Sequence, residues 1–128
     1  MASCGPQDET SARMEPILLV LTNVPDREAA RRLANALVEA RLAACVNVLA
    51  ECTSVYRWRG AVETASEVPI LIKTRAALFS EVEALILSHH PYEVPEVIAL
   101  SLHAGSIAYL EWLVRETQPE PPRAVESS

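Results

Sequence analysis

The side chains best suited to chemistry gather in one short stretch. Ser88 to Glu96 reads Ser-His-His-Pro-Tyr-Glu-Val-Pro-Glu. It holds two of the chain's three histidines, His89 and His90, with carboxylates at Glu93 and Glu96 and prolines at Pro91 and Pro95. Imidazole and carboxylate are both ligands for divalent cations. Adjacent histidines on a regular helix stand about 100° apart, so they do not chelate one ion as an i, i+4 pair does. At a helix end the backbone is less regular, and one histidine could turn toward Glu93 or Glu96. The alternative is purely electrostatic: a histidine at a helix C-terminus is stabilised by the macrodipole with no ligand at all. Cys45 is the natural third ligand if the second strand comes near this turn. A set of imidazole and thiolate is soft and suits copper or zinc better than calcium or magnesium. The same cysteine also reads as a small buried hydrophobe. Lys73 ends an apolar run, where its ammonium could meet an anion or a carboxylate such as Glu67. No G-x-S-x-G, phosphate loop or H-E-x-x-H occurs, so a binding protein is expected, not an enzyme.

The elements that must position these residues follow from periodicity. Ile17 to Leu21 is an unbroken apolar run, the pattern of a central strand covered on both faces. Asn23, Pro25 and Asp26 supply helix-start chemistry, and the helix is predicted to reach Arg41 with Ala30, Leu33, Ala34, Leu37 and Val38 inward. Ala44 to Leu49 is the next strand. Thr53 to Thr74 is predicted to form one long hairpin turning at Gly60, with Tyr56 and Trp58 on one face and Arg57 and Arg59 on the other. Pro69 cannot donate to a ladder and marks an edge or a bulge. A hairpin of this length overhangs its domain, and its aromatic face is expected to dock on another subunit, the alternative being a ribbon that curls back over its own core.

A second helix is predicted over Ala76 to His89, with Leu78, Phe79, Val82, Leu85 and Ile86 inward and Pro91 as its stop. Val97 to Leu102 is predicted as the last core strand. Gly105 and Ser106 open a third helix through Thr117, with Ile107, Leu110, Leu113 and Val114 inward. The order β-α-β-β-α-β plus a C-terminal helix implies an α+β fold, a ferredoxin-like sandwich with helices on one face of an antiparallel sheet. Its open face implies an oligomer.

The 128 residues favour one domain. The folded unit is expected over 16–117, between a flexible leader at 1–15 and a disordered tail at 118–128. A net charge of −6 and a pI near 5.0 argue against a nucleic-acid partner. No apolar run is long enough to cross a bilayer and no signal peptide is visible, so no membrane association and a cytoplasmic address are expected. The three cysteines, Cys4, Cys45 and Cys52, include no C-x-x-C pair. Cys45 and Cys52 are seven apart, which on one uninterrupted strand places them on opposite faces, so reduced thiols are expected.

Several motifs fall together in a known order. Leu21 to Asp26 (Leu-Thr-Asn-Val-Pro-Asp) is followed by Leu42 to Asn47 (Leu-Ala-Ala-Cys-Val-Asn) and by Ser54 to Gly60 (Ser-Val-Tyr-Arg-Trp-Arg-Gly). Glu67, Lys73, the His-His-Pro-Tyr-Glu-Val-Pro-Glu segment and Tyr109 to Leu113 (Tyr-Leu-Glu-Trp-Leu) complete the series. Over Ile17 to Thr117 this resembles the CutA divalent-cation tolerance proteins. The resemblance implies a ferredoxin-like protomer in a tight homotrimer, a role in tolerance of divalent cations, copper above all, and a cytoplasmic address. It implies Cu(II) or another divalent cation as the bound species. The ligands it implies are His89, His90 and Thr22, where some members carry a cysteine, with Cys45 matching the cysteine of the Ala-Ala-Cys motif. The implied trimer is similar to the PII signalling proteins. That likeness implies an alternative function as a small-ligand sensor with inter-subunit clefts lined by Tyr56, Trp58, Glu67, Lys73, His90, Tyr92 and Glu96. A structural scaffold is the third reading.

Overall fold

The computed structural model describes residues 15–119. The expectations for the leader, the tail and Cys4 therefore lie outside the described residues, apart from Glu15, Gln118 and Pro119. Among the described residues the fold is α+β, with five strands and three helices: β1 (Ile17–Val24), α1 (Arg27–Glu39), β2 (Cys45–Val48), β3 (Cys52–Trp58), β4 (Ala61–Arg75), α2 (Phe79–His89), β5 (Val97–Ser101) and α3 (Ile107–Glu116). The sheet order is β2-β4-β1-β5, with β3 pairing the far end of β4. Every pairing is antiparallel.

Local chemistry sets the element ends. Asp26 caps α1, its Oδ1 accepting from the Ala29 N–H at 2.8 Å. The helix stops at Glu39, two residues short of the predicted end, because Arg41 takes the left-handed conformation (φ 59°). The N–H groups of Arg41 and Leu42 then close on the carbonyls of Val38 and Leu37, both at 3.0 Å. This is a Schellman cap with arginine in the place glycine usually fills. His90, at φ −97° and ψ 133°, ends α2 in the extended conformation forced on a residue before proline. At the hairpin tip Arg59 and Gly60 both take positive φ, 50° and 85°.

Alternation along β1 and β4 sorts side chains onto two faces. Val20, Val24, Val68, Ile70 and Ile72 pack under Ala30, Leu33 and Leu37 of α1 and Val82 and Ile86 of α2. Fully burying each of these larger aliphatics contributes about 1.5–3 kcal/mol. The other face holds Leu19, Leu21 and Leu71. It is covered at one end only, where α3 packs Leu110 and Leu113 on Ile17. Arg75 ties the two chain ends together there. It donates to Glu15 at 3.0 and 3.3 Å, to the Thr117 hydroxyl at 2.9 Å and to the Thr117 carbonyl at 2.8 Å.

Two predicted inward positions point out instead. Val38 is 43% and Ile107 61% exposed, each at the margin of its helix stripe. β5 is an edge strand and not a core strand. It pairs β1 alone, and Ile98 and Leu100 are 50% and 58% exposed on the open face. The same apolar pattern gives a central strand in β1, fully covered only on its helix face, and an edge strand in β5, because neighbouring strands and layers decide whether a strand is covered.

β4 is one 15-residue strand with two kinds of partner. From Val68 to Arg75 it lies against β1, and β2 pairs its other side from Ile70 to Lys73. From Ala61 to Glu67 it pairs β3 only, forming a two-stranded ribbon. Pro69 falls at the break between the β2 and β3 ladders. Its missing N–H leaves no gap in either, while its carbonyl accepts from the Leu49 N–H at 3.0 Å. The break also resets side-chain parity. Cys45 pairs Lys73 and Cys52 pairs Glu67, positions six apart on β4, so the two cysteines share a face. The expectation of opposite faces is thus corrected. The thiols are nonetheless free, because six strand residues span about 20 Å and a disulfide needs Cα atoms within about 7 Å.

Candidate functional site

The ribbon and the loop after α2 enclose an open cleft of about 710 Å³. Register fixes one wall. Tyr56 faces Glu63, Ser54 faces Ala65 and Cys52 faces Glu67 across the hairpin, which puts Tyr56, Trp58, Glu63 and Glu67 on one side of the ribbon. The opposite wall is the loop carrying Tyr92, Glu93, Val94 and Glu96, and Asn23 at the end of β1 closes the base. Five residues predicted for a cleft, Tyr56, Trp58, Glu67, Tyr92 and Glu96, line this one concavity within a single chain.

Hydrogen bonds hold the loop in place. His90 Nε2 donates to the Asn23 carbonyl at 2.6 Å, and His90 Nδ1 accepts from the Tyr92 N–H at 3.3 Å. One neutral tautomer satisfies both contacts. The Tyr92 ring lies 4.4 Å from the imidazole. Asn23 Nδ2 donates to Glu96 Oε1 at 2.9 Å. At the outer end Arg59 Nη2 bridges both Glu93 oxygens, at 2.9 and 3.0 Å. The Tyr92 phenol also stands beside Glu67, a carboxylate only 8% exposed. Burial and the nearby negative charge push the Tyr92 phenol up to about 12, so it remains a donor at neutral pH.

The residues expected to ligate a metal do not converge. Thr22 is fully buried on the helix-covered face of β1, paired with Ile70 and Val97, and its Oγ1 has no partner. Cys45 pairs Lys73, whose alternation places it on the opposite face. β4 and three residues of strand separate Thr22 from Cys45, roughly 10 Å across the sheet and roughly 10 Å along it. His90 has both ring nitrogens engaged. His89 is exposed and donates from Nδ1 to the Leu85 carbonyl at 3.1 Å, which leaves its Nε2 lone pair facing outward. Among the described residues no group of three or more His, Cys, Asp and Glu could hold an ion. A hydroxyl sealed in the core, a thiol behind the sheet and an imidazole already bonded twice do not fit a copper centre within one chain. Lys73 likewise stands apart from the cleft. Its Nζ lies 4.0 Å from Cys45 Sγ and 6.0 Å from the Tyr109 ring centroid, beside α3.

Comparison with known proteins places the chain. The sequence profile described as CutA1 divalent ion tolerance protein matches residues 18–116. This chain belongs to the CutA1 family. The Divalent-cation tolerance protein CutA of Thermus thermophilus is 46% identical over 99 residues, 77% of this chain and 96% of that protein. The chloroplastic Protein CutA of Arabidopsis thaliana is 44% identical over 110 residues, and human Protein CutA is 45% identical over 94. These matches take in 86% and 73% of this chain but only 60% and 52% of those longer relatives. Among solved structures, CutA1 from Oryza sativa aligns with a TM-score of 0.80 at 41% identity, covering 84% of this chain and 98% of that one. The Thermus protein aligns at 0.78 and 44% identity, covering 80% and 99%. A protein described as the periplasmic divalent cation tolerance protein CutA of Archaeoglobus fulgidus aligns at 0.78 and 31%, covering 80% and 99%.

In this CutA1 chain the cleft includes residues not predicted for it, chiefly Asn23 and Glu63, and it takes in Glu93, which was expected only as a partner for a histidine. Glu63 was within reach of counting, since a turn at Arg59 and Gly60 sets Tyr56 opposite position 63. Asn23 had no signal of its own, because its role depends on where Glu96 and His90 arrive from 73 and 67 residues away. No helix among the described residues is long and apolar enough to cross a membrane.

Proposed function

We propose that this chain acts in divalent-cation tolerance as a homotrimer of ferredoxin-like protomers, and that it works by binding a small ligand in the ribbon–loop cleft. One observation carries this reading: aromatic and acidic side chains from β3, β4 and the post-α2 loop converge on one cleft, while the residues expected to hold copper are dispersed. Its volume lies in the range of small-molecule sites, roughly 300–1,000 Å³. The Thermus relative is named a divalent-cation tolerance protein, which supports the tolerance role. The trimer is supported by apolar surface that a lone protomer leaves in water: Ile98 and Leu100 on the β5 edge and Val55 and Val62, 66% and 64% exposed, on the outer ribbon face. Free thiols at Cys45 and Cys52 support a reducing compartment, the cytoplasm.

Sedimentation equilibrium tests the assembly, with three times the 14.0 kDa protomer mass expected. Calorimetry with Cu(II) tests the choice between the two sites. The wild type and a His89→Ala/His90→Ala variant should give the same isotherm. A saturable site, one per protomer, that disappears in the double variant would return the function to the His-His-Pro turn.

A further inference from the structure

The charge around the cleft is one-sided. Glu63, Glu67, Glu93 and Glu96 line it, and among the described residues no lysine or arginine does. Glu96 accepts from the neutral Asn23 amide and Glu67 stands beside the neutral Tyr92 phenol, so neither neighbour brings a positive charge. Glu67 is nearly buried, and a carboxylate has room for several donors. Aromatic rings of Tyr56 and Trp58 lie among these groups.

One cation does sit at the outer end. The Arg59 guanidinium lies 5.1 Å from the Trp58 ring centroid while bridging Glu93. A cation between an aromatic face and a carboxylate is the arrangement that recognises ammonium and guanidinium compounds. Here the cation is tethered to the hairpin tip, and both partners of the ion pair are about two-thirds exposed, 68% and 66%, so the contact is readily exchanged.

We propose that the cleft is a site for an organic cation, an ammonium or guanidinium group on a short alkyl body, and that Arg59 occupies its outer end until such a cation displaces it. This inference rests on the ligand-binding reading above and adds the chemical class. A bare divalent ion is the poorer occupant. Such ions need several converging oxygens, and the four carboxylates are spread along the cleft walls with no ion-holding group among the described residues. An anion is opposed by the same field. An extended cation meets successive carboxylates with its charged ends and the rings with its alkyl body.

The experiment titrates the full chain with agmatine, which carries a guanidinium and an ammonium group, and in parallel with glutamate as the anionic control and Mg²⁺ as the inorganic one. Tryptophan emission in a Trp112→Phe background reports on Trp58, the other of the two tryptophans, and calorimetry repeats the titration on the unmodified chain. Saturable agmatine binding is expected, with no response to glutamate. Glu67→Gln should weaken it roughly tenfold or more, and Glu96→Gln serves as the second variant should Glu67→Gln fail to fold. Arg59→Met should tighten it roughly threefold to tenfold, because removing a tethered competitor raises the competent fraction. A merely structural Arg59 predicts no gain. Binding of glutamate, or of Mg²⁺ alone, that depends on Trp58 and Glu67 would overturn the cationic class and leave the cleft as the ligand site. No saturable response to any of the three probes would overturn both.

Discussion

The two halves of β4 share one backbone and do opposite work. Val68 to Arg75 has β1 on one side and β2 on the other, and buries Val68, Ile70, Ile72 and Thr74 beneath the helices. Ala61 to Glu67 has only β3, and of its seven residues only Glu67 is buried. The first half is held by packing and fixes the fold. The second is held by one ladder and by contacts with a loop, and it lines the cleft proposed to bind a ligand. Stability and recognition are thus separated along one strand, with Pro69 at the boundary where β4 changes partners.

Substitutions can break this contrast. Ile72→Ala in the packed half should cost about 2–5 kcal/mol, the range for truncating a fully buried aliphatic, as read by urea denaturation. A cost below about 1 kcal/mol would mean that the helix-covered face is not the core. Arg75→Met, at the end of the same half, should cost about 2–3 kcal/mol through lost charge-assisted hydrogen bonds to Glu15 and Thr117. It should also raise amide exchange at both ends of the folded unit.

Thr22→Val sharpens the comparison from the β1 side. Thr22 and Thr74 are both fully buried on the helix-covered face, yet only Thr74 has a partner, its hydroxyl donating to the Leu42 carbonyl at 2.6 Å. Replacing the unpaired Thr22 hydroxyl with a methyl should stabilise the chain by about 1 kcal/mol, while Thr74→Val should destabilise it by a similar amount. Equal effects in the two variants would show that Thr22 has a hydrogen-bond partner after all.

The cleft-lining half responds to pH instead. The Tyr92 phenol is raised to about 12, above its ordinary 10.0, so the fold favours the protonated form. Its contribution is complete below pH 10 and is lost as pH rises toward 12. Phenolate absorbance of wild type minus Tyr92→Phe should show this late ionisation. An ionisation near 10 would mean that the loop does not bury the ring against Glu67. The smallest effect is expected at the outer ribbon face, where Val62→Thr should change protomer stability by no more than about 0.5 kcal/mol. A weakened trimer in sedimentation would locate the subunit contact on that face.

Much of this molecule was legible before its structure. The apolar run of β1, the helix start around Pro25 and Asp26, the hairpin turn at Gly60 and the proline stop after His90 were readable, and the family resemblance named Tyr56, Trp58, Glu67, Tyr92 and Glu96, which line one cleft. These features depend on neighbours within a few residues or on motifs quoted whole. The placement of Cys45, Lys73 and Thr22 was not readable. Two of these share one sheet face and the third lies on the other, and that depends on register across three strands.

The sequence by itself determined the elements, their order and the family, because capping, periodicity and turn chemistry act over short range. Only the tertiary structure decided which side chains meet. A break in pairing opposite Pro69 reset parity along the ribbon, and the loop after α2 folded back so that His90 spent both nitrogens on backbone groups and Tyr92 reached Glu67. The physical reason is one of distance along the chain. Contacts between residues 67 or 73 positions apart, as Asn23 makes with His90 and Glu96, are set by how layers pack and leave no mark on either local sequence.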